Sequence, residues 1–308
     1  MGCFISIGIF NTKYFIYCIL IAILELYINL GVYNINEKLL DNHQIFDIFC
    51  YYFGYLLNII PTWFVKENYI DNNPDDRHLS AIDIIKFFSI CFILLLIQFA
   101  EIIPNIMDDD SEDNQKEDYE DNNLLFLILM IFILLKCFKN FVFYNHQKIS
   151  FLTFFIIELI KSIYFIIKKN YNKIYDYLTF IIDLFYSVLL SIYYIYIDGL
   201  MKHKYISPYK CSFMIGAGFV PLIIIVYLII SFTNDFDNIF NLFKSFKNLE
   251  TINAILLISY PFSSGILGLL MFKVINDFSL FHLYIPFILD KFISEIIGNE
   301  KKFNIIFF

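Results

Sequence analysis

Four carboxylates sit inside or at the ends of long apolar runs: Glu25, Glu101, Glu158 and Asp183. An acid at the centre of a membrane-spanning helix costs about 2.5–3.5 kcal/mol, so each one is a functional candidate by default. Glu101 lies near Pro104, close to the end of its run. Lys161 follows Glu158 by three positions, which puts both on one helix face, where the pair can neutralise itself. Asp183 has no basic residue within a helical turn. It must face a bundle interior, face a watery cavity, or be protonated. Glu158 and Asp183 are therefore the acids placed on a polar path. The alternative for both is structural, an acid bonded to a hydroxyl or backbone group of a neighbouring helix.

A second group is marked by small residues and prolines. Gly216, Ala217, Gly218 and Pro221 share one apolar run, and Pro261, Ser263, Ser264, Gly265 and Gly268 share the next, where Ser259 and Tyr260 add hydroxyls. Four of the ten glycines fall in these two runs. Small residues let helix backbones approach closely, which is the ordinary reading. Interrupted helices also expose amides and carbonyls as ligands in secondary transporters. On that second reading Gly216, Gly218, Tyr260, Ser263 and Ser264 join the substrate path.

Other chemistry finds little support. No G-x-S-x-G, HExxH or P-loop pattern occurs, and the five histidines are isolated. The six cysteines are scattered without a CxxC or Cys/His cluster, so neither zinc nor a disulfide framework is indicated. The chain is read as a non-enzyme with no cofactor and no metal. One arginine and a net charge of −8 give no phosphate-binding face, so nucleic acid is not a partner. The terminus MGCFIS fits the N-myristoylation pattern at Gly2, with Cys3 placed for palmitoylation. Such anchoring is largely redundant in a chain that already inserts many helices.

The elements that must position these residues are membrane helices. The chain is 59% hydrophobic and 17% charged, against roughly 45–50% and 25% in soluble domains. The apolar residues form runs near the ~20 residues that span a bilayer. Stretches such as ICFILLLIQFA and LLFLILMIFILL do not alternate as barrel strands would. The pattern predicts an all-α, polytopic transmembrane bundle of nine to ten spans in one domain. The candidate spans are 12–33, 45–65, 81–104, 123–143, 149–168, 175–199, 208–232, 251–272 and 277–297. The lipid bilayer is its one certain partner. Richness in Ile, Phe, Tyr and Asn carries little weight, since coding bias alone can produce it.

Between the third and fourth spans, the segment Asp108 to Asp121 reads DDDSEDNQKEDYED. Such a block repels itself and is expected to be a disordered acidic loop, 105–122. It reads as a solvated connection or as a cation- or partner-binding segment, and the first is the commoner role of charge runs. The 22 basic residues divide evenly between the two faces of the nine-span scheme, so the positive-inside rule assigns no orientation.

The stretch KHKYISPYKCSFMIGAGFVPLI, Lys202 to Ile223, resembles the region between the sixth and seventh helices of the drug/metabolite transporter superfamily, in its nucleotide-sugar and triose-phosphate translocator-like branches. The resembling features are Lys202, Lys204, Pro208, Tyr209, Phe213 and Gly216. Tyr260 to Pro286 is similar to that family's eighth and ninth helices, with Ser279, Leu280 and His282 in the polar connection. The second span, YYFGYLLNIIPTWF, fits the same pattern. The resemblance implies an inverted repeat, a small polar or anionic metabolite as substrate with Lys273 as the candidate basic residue for it, and an endomembrane of the Golgi or ER type. That family's usual ten helices exceed the nine counted here. A non-transporting multi-pass protein, such as a scaffold, receptor-like or lipid-handling one, is the other reading.

Overall fold

A computed structural model describes residues 12–33, 35–36, 39–40, 43–64, 80–107, 156, 174–203, 206–233, 239–247, 249–283, 285–286 and 289. For residues 33, 63, 94, 97, 99–107, 174–184, 186, 203, 233 and 281 it describes the backbone alone. The described residues are all-α, with no strand among them. The helices are α1 (Thr12–Leu26, continued by a π-helical segment, Tyr27–Tyr33), α2 (Gln44–Leu57), α3 (Ile59–Phe64), α4 (Ala81–Met107), α5 (Ile174–His203), α6 (Pro208–Thr233), α7 (Ile239–Lys247) and α8 (Thr251–Asp277). A 3₁₀ turn, Leu280–Leu283, follows. The expected spans 123–143 and 149–168, with the acidic loop, lie outside the described residues. Helix α8 runs past residue 272 to Asp277, which Lys13 (2.6 Å) and the Tyr17 hydroxyl (3.5 Å) engage. The 3₁₀ turn occupies the start of the expected span 277–297, most of which is also outside the described residues.

Among the described residues, four stretches are long and apolar enough to cross a bilayer: Thr12–Val32, Gln44–Thr62, Pro208–Phe232 and Thr251–Asp277. Their outward faces carry the signature of lipid contact. On α8, Ile252, Ile255, Ile258, Phe262 and Ile266 are all exposed, at the three- and four-residue spacing of one helix face. Phe15, Ile16, Ile19 and Ile23 form the same kind of stripe on α1, and Ile224, Ile225, Leu228, Ile229 and Phe232 form it on α6. Exposed apolar stripes of this extent need an apolar solvent. The chain is an integral membrane protein.

The described residues fall into two compact units, Met1–Ser80 with Asp198–Phe308, and Ala81–Ile197. In the second unit α4 buries Phe87, Cys91 and Leu95, one residue per turn. The Tyr196 hydroxyl of α5 donates to the Asp83 carbonyl of α4 at 2.8 Å.

The first unit is built around α8, the most buried of the four spanning helices. Contacts between α2 and α8 advance in the same direction along both helices, as Tyr51 meets Ser264 and Tyr55 meets Gly268. The two helices therefore run parallel. Against α6 the order reverses. Tyr52 stacks on Phe219 (4.1 Å between ring centroids), Leu56 lies on Gly216, and Asn58 meets Ser212, so α2 and α6 are antiparallel. Helix α1 is antiparallel to α8, since Tyr14 reaches His282 while Tyr27 reaches Ser259.

Glycine sets the closeness of these contacts. A β-carbon on Gly54 would strike the Pro261 carbonyl, Ser264 Oγ and Gly265 N, and one on Gly265 would strike the Gly54 backbone. One on Gly216 would strike the backbone of Tyr55 and Leu56. Lipid tails are as apolar as the side chains, so helices associate through close packing and not through hydrophobic expulsion.

Overpacking a tight site costs about 1–3 kcal/mol. Gly54→Ala is expected to lower the stability of the full chain by that amount in a detergent or bicelle unfolding assay. Ile258→Ala on the lipid face should stay within ~0.5 kcal/mol. Equal effects at the two positions would contradict the packing account.

Candidate functional site

Pro61 ends α2. Its ring would collide with the Leu57 carbonyl, and it has no N–H to offer that oxygen, so the regular ladder breaks just before it. The chain turns at Asn58, whose backbone N–H still reaches the Tyr55 carbonyl at 3.2 Å, before α3 resumes. The break aims the buried Asn58 side chain into the bundle. Its Nδ2 donates to Ser212 Oγ of α6 at 2.8 Å and to the Gly265 carbonyl of α8 at 2.9 Å. One amide thus ties three helices together.

Further along the same seam, Ser264 Oγ approaches two carbonyls at 3.0 Å, Tyr51 on α2 and Pro261 on its own helix. Pro261 cannot supply the usual amide to the Leu257 carbonyl. Ser263 Oγ donates to the Ser259 carbonyl at 3.1 Å. Ser259 Oγ and Tyr27 Oη are 2.5 Å apart, which fixes the π-helical segment of α1 to α8. The Tyr27 ring covers Gly31, where a β-carbon would lie 3.3 Å from the ring. Tyr260 is buried, close to the Asp47 carboxylate. Asp47 stands in the first turn of α2, where the helix dipole favours an acid. Tyr51 Oη and Tyr55 Oη complete the cluster at 3.3 Å.

The expected path residues divide accordingly. Tyr260, Ser263 and Ser264 are brought together on α8, facing α2 and their own helix. Gly216 is filled by the α2 backbone, and Gly218 is buried on α6. Lys273 is half-buried, with its ammonium 4.8 Å over the Tyr209 ring, which joins the end of α8 to the start of α6. Asp183 lies on α5 in the second unit, and its side chain is outside the described ones. Glu158, Gly2 and Cys3 lie outside the described residues altogether.

Asn58, Gly54, Ser212 and Asp47 are the functional candidates that the pattern reading passed over. A clue existed in Gly54, a glycine alone in an aromatic run, and in Pro61 three residues beyond Asn58. Their partners, however, are more than 150 residues away in the chain.

The cluster offers hydroxyls, one amide and one carboxylate. It holds no arrangement of nucleophile, base and orienting group. Ser279 Oγ does lie 2.7 Å from His282 Nδ1, but the two share one turn, and the Tyr14 hydroxyl donates to the His282 carbonyl at 2.6 Å. That contact closes the exit of α8. Among the described residues no group of three His, Cys, Asp or Glu converges as a metal site.

The fold and the seam define an α-helical integral membrane protein with a polar, glycine-lined contact between spanning helices. No protein-family model matches the chain, and no curated protein is significantly similar to it.

Hydrogen bonds between membrane helices contribute on average ~0.6 kcal/mol and at most ~1.7 kcal/mol. A double-mutant cycle of Asn58→Ala and Ser212→Ala, read by unfolding in bicelles, should give a coupling energy within that range. A coupling indistinguishable from zero would remove Asn58 as the tie.

Proposed function

We propose that the protein is a non-transporting multi-pass membrane protein whose first unit is a fixed helical scaffold. The observation that carries this reading is the backbone-level contact of α2 with both α8 and α6, at Gly54, Gly265 and Gly216. Alternating access requires helices around a central site to part and re-form. Here Gly54, Gly265 and Gly216 are filled by neighbouring backbone, and Gly268 by the Tyr55 ring. The serines that could bind a substrate donate to backbone carbonyls instead. Function then resides on the surfaces that the scaffold presents to lipid and solvent.

A second reading, a secondary transporter of the drug/metabolite type for a small polar or anionic metabolite, keeps one specific observation in its favour. Asp47 and Tyr260 place an acid and a phenol together between two spanning helices, and ionisable groups there are associated with ion and substrate pathways.

Cysteine accessibility separates the two. The six native cysteines are replaced, and Ser212→Cys or Ser263→Cys is introduced into the full chain in proteoliposomes. A membrane-impermeant methanethiosulfonate is expected to modify neither from either side, while Lys210→Cys at the exposed end of α6 reacts readily. Modification of Ser212→Cys or Ser263→Cys from one face, or from each face in turn, would overturn the scaffold reading in favour of transport.

A further inference from the structure

Helix α7 joins the antiparallel α6 and α8, so it lies at the membrane face where α6 ends and α8 begins. It is anchored at that level. Its first amide, Ile239 N–H, donates to Ser231 Oγ at 3.2 Å. Leu242 is buried, and the Phe246 ring meets Phe46 of α2 edge-on at 5.4 Å. Leu242 and Phe246, four apart, form the inner face. Asn241 and Ser245, also four apart, form a polar face, with Ser245 Oγ on the Asn241 carbonyl at 3.1 Å.

The remaining sector is unlike either face. Phe240 and Phe243 are 63% and 59% exposed, and Lys244 and Lys247 are exposed beside them. At about 100° per residue, Phe243, Lys247, Phe240 and Lys244 succeed one another around the helix. Two rings and two ammonium groups thus alternate on one side. Neither lysine has an ion-pair partner among the described residues. Exposed phenylalanines are unfavourable in water, and bare ammonium groups are unfavourable in hydrocarbon. Both are satisfied at one depth only, with the rings below the headgroups and the ammonium groups level with the phosphates.

We propose that the Phe240–Phe243–Lys244–Lys247 face of α7 is a binding surface for anionic phospholipid. The rings enter the acyl boundary, and the lysines recognise the net negative headgroup. The charge complementarity of two exposed lysines selects an anionic lipid over a zwitterionic one. This inference rests on the membrane placement of α6 and α8, and is independent of whether the bundle transports anything.

The test uses the full chain in bilayers of phosphatidylcholine containing phosphatidylserine. Trp63, the one tryptophan, is replaced by Phe, and Phe243→Trp provides a local probe. Acyl-brominated phosphatidylserine is expected to quench the probe more strongly than acyl-brominated phosphatidylcholine at equal content. Near an anionic surface each lysine is worth roughly fivefold in local enrichment. Lys244→Gln with Lys247→Gln, or high salt, should therefore abolish the difference while leaving quenching by brominated chains intact. Equal quenching by the two lipids before the lysines are changed would overturn anionic selection. Quenching by aqueous iodide with none by brominated lipid would overturn the interfacial placement itself. Retained selectivity in the double glutamine variant would assign the preference to other basic residues and overturn the role of α7.

Discussion

The approach of α2 to α8 at Gly54 and Gly265 is the contact on which the rest of the first unit depends. In lipid there is no gain from hiding apolar surface, because the surroundings are equally apolar. Cohesion must come from short-range packing and from polar groups that have no water to turn to. Two glycines facing one another supply the first, by bringing backbone against backbone. Only at that separation can Ser264 reach the Tyr51 carbonyl and Asn58 reach the Gly265 carbonyl. Gly216 extends the same device to α6. A bulkier residue at any of the three positions would push the helices apart and leave those donors without acceptors.

Proline breaks and polar ties are coupled through this contact. Pro61 ends the ladder of α2 and frees Asn58 to point inward. Pro261 leaves the Leu257 carbonyl without its usual amide, and Ser264 follows Pro261 by one turn. Each local defect lies beside a group that bonds across a helix interface. Such defects are tolerated in membranes where neighbouring helices and hydroxyls bond the freed groups. The residues with the chemical means to bind a ligand are thus the ones holding the helices together. That shifts attention to the periphery, where α7 combines aromatic rings and lysines at the bilayer surface.

Much of the architecture was legible in the sequence for one physical reason. A helix in lipid must satisfy its own backbone, so an apolar run of sufficient length is a helix whatever its neighbours are. The runs at 12–33, 208–232 and 251–272 correspond to helices over Thr12–Tyr33, Pro208–Thr233 and Thr251–Asp277. The concentration of small residues on α6 and α8 was also visible, as was the pair of uses such residues have. What the spacing could not supply was the partner. Gly54 and Asn58 sit in a span interrupted by Asp47 and Pro61, and nothing local distinguishes a glycine that packs from one that merely bends.

The sequence by itself determined that this is an all-α membrane protein, because length and apolarity act through the solvent and need no tertiary contact. It determined too where close helix approach was available. Only the tertiary structure decided which helices use it. The order of pairing that sets α2 parallel to α8, the reversal that sets it against α6, and the Asn58 amide joining all three depend on contacts between residues more than 150 positions apart. Complementarity of shape between distant segments is a property of pairs, and a single run of residues records only one member of each.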